Sequence, residues 1–147
     1  MKITIFDEQS SYKISKKTIQ FLVKKLLEKE NINTDEVILH FVNKDKIKEL
    51  HLRFFSDPSE TDCISLPIDS PFEKKIGHMI LGEVFVCTDV AEEYAKENNV
   101  NTEEELFLYI IHGILHLIGY DDIDENDNKI MRKKELECQN YLKALLK

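Results

Sequence analysis

The chain has 147 residues, 42% of them hydrophobic and 33% charged, with a formal net charge of −8, which fits one domain over residues 1–147 with a core of its own. Four Gly and three Pro exclude collagen-like and low-complexity classes, and no apolar run approaches the roughly 20 residues that span a bilayer. An acidic total argues against a protein that coats nucleic acid non-specifically, but residues 1–54 carry eleven Lys/Arg against eight Asp/Glu, which leaves room for a local basic groove.

The opening residues 2–6, KITIF, alternate like a half-buried strand, and Asp7 follows too soon for a signal-peptide core. Ile19, Leu22, Val23, Leu26 and Leu27 fall at i, i+3, i+4, i+7 and i+8, an apolar stripe on a helix over about residues 16–30. Residues 37–42, VILHFV, are short, β-branched and apolar, so they predict a buried strand in which His40 is a hydrogen-bonded core residue. Ile47, Leu50 and Phe54 mark a second helix over 44–55, and Ser56, Asp57, Pro58 and Ser59 a loop. Residues 61–68, TDCISLPI, predict an irregular or edge strand, because Pro67 cannot donate to a ladder.

Residues 78–87, HMILGEVFVC, predict a stronger strand with a bulge at Gly82. Thr88 is a plausible N-cap for a helix through about Asn98, and Thr102 with Glu105 a capping box for the next. That helix is apolar nearly all round from Leu106 to Ile118, which makes it central and buried. Asp124 caps a final helix with Ile130, Met131, Cys138, Tyr141, Leu142 and Leu145 on its apolar positions. Cys63, Cys87 and Cys138 are odd in number and widely spaced, which suits reduced thiols in a cytoplasm. The order β α β α β β α α α predicts an α+β fold, a mixed β-sheet packed with helices.

Residues 112–122, HGILHLIGYDD, depart from ordinary patterning. His112 and His116 are four apart, so both imidazoles project from one helix face and can converge on one ion. Gly119 follows where a helix stops in a left-handed turn, and the reversed chain can return Asp122 to the same point. Asp121 is the alternative carboxylate. Three protein ligands with an open fourth position suit a catalytic zinc rather than a closed structural one. Zinc peptidases of the same spacing carry Glu directly after the first His as their general base. Here that position is Gly113, which argues for a metal-activated water attacking something other than a peptide.

These eleven residues resemble the signature of the YbeY endoribonuclease family, HGxLHLxGYDH. Residues 61–67, TDCISLP, resemble its TDVLSFP segment, residues 81–86, LGEVFV, its LGDIVI strand, and Met131 with the final helix its tail. The resemblance covers nearly the whole chain in order. It implies an α+β, metal-dependent endoribonuclease of single-stranded RNA. It also implies maturation of the 3′ end of small-subunit ribosomal RNA and ribosome quality control, with ribosomal RNA and the small subunit or its proteins as partners and no membrane. The implied cofactor is one Zn2+ per chain on His112, His116 and Asp122. Two positions depart from the family pattern. Asp122 stands where the third ligand is usually His, which leaves the metal's identity open. Phe55 stands where the family usually carries Arg, and any role of that Arg passes to Arg53 or a nearby Lys. Two other readings remain: a non-catalytic ribosome-assembly factor with a structural metal, and a metallopeptidase lacking its usual base.

Overall fold

The computed structural model describes residues 1–146; the last position of the expected 1–147 unit lies outside the described residues. Nine elements follow the predicted order: β1 (Lys2–Asp7), α1 (Lys16–Lys29), β2 (Glu36–Val42), α2 (Lys44–Phe55), β3 (Cys63–Pro67), β4 (Ile80–Cys87), α3 (Thr88–Asn98), α4 (Thr102–Leu117) and α5 (Glu125–Leu146). The strands form one mixed sheet in the order β1-β2-β4-β3. β1 and β2 are parallel, as are β2 and β4, while β3 runs antiparallel to β4 at the edge. Pro67 pairs with Gly82 at the end of that edge strand, where a missing N–H is tolerated. One extra residue of β4 sits between the pairs Glu36–Ile80 and Ile38–Glu83. This is the bulge expected near Gly82.

Helices cover both faces of the sheet. On one, the α1 stripe Ile19, Leu22, Val23, Leu26 and Leu27 meets Val37, Leu39 and Phe41 of β2 and the buried side of α4. On the other, Ile47 and Leu50 of α2 close over Val42, Ile64, Phe85 and Cys87. Leu106, Ile111, Ile114 and Leu115 are among the largest fully buried side chains, so α4 is the central helix its composition predicts. At Gly113 it comes so close to β4 that an added Cβ would stand 2.4 Å from Val84 Cγ1.

Three helix starts differ in detail from expectation or confirm it. The N-cap of α4 is Asn101, whose side chain accepts from the Glu104 N–H at 3.0 Å, and Thr102 is the first helical residue. Thr88 likewise lies inside α3, after a Cys87 cap that makes no side-chain bond. Its buried hydroxyl donates to Gln9 Oε1 instead. Asp124 does cap α5, accepting from the Asp127 N–H at 2.7 Å.

Candidate metal centre

The last turn of α4 ends in a Schellman motif. The Gly119 N–H donates to the His116 carbonyl and the Tyr120 N–H to the Leu115 carbonyl, with Gly119 at φ +108°. A side chain at that φ is strained, so the reversal asks for glycine. The reversal does two things. It swings residues 120–122 back across the helix end, and it aims the Tyr120 carbonyl at His116, whose Nδ1 lies 2.9 Å away. With Nδ1 donating there, His116 presents Nε2 as the free lone pair.

His112 is gripped in the same way from another element. Its Nδ1 hydrogen-bonds the Glu135 carboxylate of α5. The two Nε2 atoms then face each other at 3.0 Å. Asp122 Oδ2 lies 3.8 Å from the first and 3.7 Å from the second. These separations suit three ligands on one ion with bonds of roughly 2.0–2.2 Å. Each imidazole also has the outer partner that fixes tautomer and ring orientation in metal sites. Burial disfavours charge on His112, but the Glu135 hydrogen bond and the negative charges of Glu135, Asp62 and Asp122 outweigh it and raise its pKa. Asp121 lines the same cleft, but its Oδ1 accepts the Asp122 N–H at 2.7 Å and it is not grouped with the two imidazoles. The donor set therefore fits a divalent ion, and Asp122 is the carboxylate placed to complete it.

The three donors open on a cleft of about 520 Å³ whose other wall comes from β3 and the end of α2, including Ser65, Pro67, His51 and Phe55. Ser65 donates to the Gly113 carbonyl at 2.9 Å, tying β3 to α4. Asp62 accepts the Cys63 N–H, a turn contact at the start of β3. His40 sits between the Phe6 and Phe85 rings and bonds Glu8 and Glu83, outside the cleft. Arg53 does not line the cleft; its guanidinium carbon lies 6.0 Å from the Phe54 ring centre. The basic groove expected from the first third of the chain is not found here. Among the described residues no Lys or Arg lines the cleft, and Lys25, Lys29, Lys44 and Lys46 each pair with a carboxylate.

The family model described as Endoribonuclease YbeY matches residues 4–143. The chain belongs to the YbeY endoribonuclease family. A Protochlamydia amoebophila relative named Endoribonuclease YbeY is 42% identical over 143 residues, covering 97% of this chain and 94% of its own length. One from Chlamydia pneumoniae is 37% identical, covering 92% and 87%. A solution structure of a Thermotoga maritima protein aligns with a TM-score of 0.65 at 32% identity, covering 96% of this chain and 89% of that one. The mixed-sheet α+β fold and the enzyme class, an endoribonuclease, follow from membership in this family.

Glu135 escaped the sequence reading, although a signal existed. It falls four residues after Met131 and three before Cys138, both buried. A carboxylate on the apolar stripe of a helix demands a partner. No pattern in the sequence names that partner as His112, 23 residues earlier.

Proposed function

We propose that this chain is a zinc-dependent endoribonuclease of single-stranded RNA, acting in the cytoplasm on the 3′ end of small-subunit ribosomal RNA and in ribosome quality control. The observation that carries the reading is the convergence of His112, His116 and Asp122 at the wall of an open cleft. The family's naming supports the RNA substrate. The ribosomal role rests on the family resemblance of residues 61–67, 81–86 and 112–122.

His112 and His116 would supply two neutral nitrogens and Asp122 one carboxylate oxygen. A divalent ion held there supplies a nucleophilic water at neutral pH and polarises a phosphoryl oxygen. Glu135 and the Tyr120 carbonyl keep both rings in the tautomer that leaves Nε2 free. Gly113 provides no general base, and the contact with Val84 leaves no room for one. This supports phosphodiester rather than peptide hydrolysis. The test is a cleavage assay on single-stranded RNA and on casein-like peptides, with and without chelator. RNA cleavage lost on chelation, restored by zinc and absent from folded His116→Ala is the expected result. RNase activity that survives both treatments would refute the reading and leave a passive assembly factor.

A further inference from the structure

Phe55 ends α2 at the mouth of the metal cleft. It is 55% exposed, and it lines the same cleft as His112, His116 and Asp122. Its ring meets the His51 ring edge-on, with centroids 5.8 Å apart at 61°. His51 is itself held, with Nδ1 2.8 Å from the Ser59 carbonyl. The Phe55 ring thus packs against one held neighbour, and more than half of the residue stays exposed to solvent.

A lone exposed Phe on a protein surface needs no explanation. Two features separate this one from that case. It stands in the reaction cleft, and that cleft is lined by Asp121 and Asp122 but by no Lys or Arg among the described residues. A cation, Arg132, lines the adjoining pocket that shares His112 and Asp122, whereas the cleft wall where Phe55 stands offers a strand no positive side chain. On that wall the exposed chemistry able to position a nucleotide is an aromatic face. Every nucleobase has an apolar π-face that such a ring accepts. A base within a duplex keeps that face inside its stack, whereas an unpaired base offers it.

We propose that Phe55 is a nucleobase-stacking residue that holds one unpaired base next to the scissile phosphate. The proposal rests on the endoribonuclease reading above and adds the contact that positions the strand and favours single strands. Stacking is tolerant of base identity, so the contact selects for unpaired nucleotides rather than for a sequence.

The test measures affinity of the protein, loaded with one equivalent of zinc, for a set of short oligoribonucleotides. They are identical except for one abasic ribose moved position by position, and cleavage is followed in parallel. Wild type is expected to lose roughly ten-fold in affinity when the abasic site falls at one particular position. Phe55→Leu, folded by circular dichroism, is expected to bind the intact strand roughly ten-fold more weakly and to show no further loss at that position. Phe55→Tyr should restore the wild-type pattern. If Phe55→Leu matches wild type on the intact strand, or loses as much as wild type at the abasic position, the stacking proposal is overturned while cleavage by wild type keeps the nuclease reading intact. If wild type neither binds nor cleaves the intact strand, both fall together.

Discussion

Two imidazoles four residues apart share a face on any helix; what suits His112 and His116 to hold one ion is the grip on their far nitrogens. Glu135 holds one and the Tyr120 carbonyl the other. Removing such an outer partner typically costs 10–100-fold in metal affinity, so Glu135→Ala should weaken zinc binding by about that factor, with Glu135→Gln in between. Competition against a coloured chelator measures it, and unchanged affinity would make Glu135 a bystander. Asp122→Ala should weaken zinc far more than Asp121→Ala, because only Asp122 brings an oxygen within 3.8 Å of both rings. The reverse ranking in the same titration would move the ligand to its neighbour. Gly113 has a packing reason as well as a chemical one. Gly113→Ala would drive a methyl into Val84, a clash costing about 1–3 kcal/mol, partly offset by up to about 1 kcal/mol of helix propensity. Denaturant unfolding should show a net loss, and a gain would mean that α4 lifts from β4 without cost.

At the scale of elements, periodicity was readable wherever a helix or strand buries one side. The α1 stripe is buried residue for residue, and α4 is central because it is apolar nearly all round. Helix starts were less readable, for a local reason. Glu104 and Glu105 give Asn101 and Thr102 each an acidic residue three positions on, so the capping pattern fits two frames and the chain uses the earlier one. Thr88 looked like a cap because its burial and its bond to Gln9 are long-range facts. The His pair was legible because both residues lie on one helix. Glu135 was not, because its role depends on how α5 docks against α4. The β1–β2 pair carries a further consequence. The Thr4 hydroxyl donates to the Glu36 carboxylate, and that bond, with His78 second, holds the Glu36 pKa below its ordinary 4.5. A depressed carboxyl pKa contributes stability above the unfolded value that is lost as pH falls through the folded one. The stability gap between wild type and Thr4→Val should therefore be present above pH 4.5 and narrow on further acidification. Urea unfolding across that range checks it, and a gap that widens in acid would contradict it.

For the whole molecule, the sheet does the positioning. β3 at the edge carries the second wall of the cleft, and Ser65 ties it to α4. The Lys-rich first 54 residues suggest a basic groove, but none of their lysines lines the cleft, and Lys44 pairs with Glu60 and Glu93. Affinity for single-stranded RNA should accordingly fall only gently with salt, with a log–log slope no steeper than about −2, equivalent to about three phosphates. A much steeper slope in an ionic-strength titration would place a basic track outside the cleft. The central claim is that His112, His116 and Asp122 form one metal site. Elemental analysis of the purified protein, per mole of chain, tests it most directly. Wild type should retain one divalent ion and the His112→Ala, His116→Ala double variant none; a double variant that still holds one ion per chain would contradict the site.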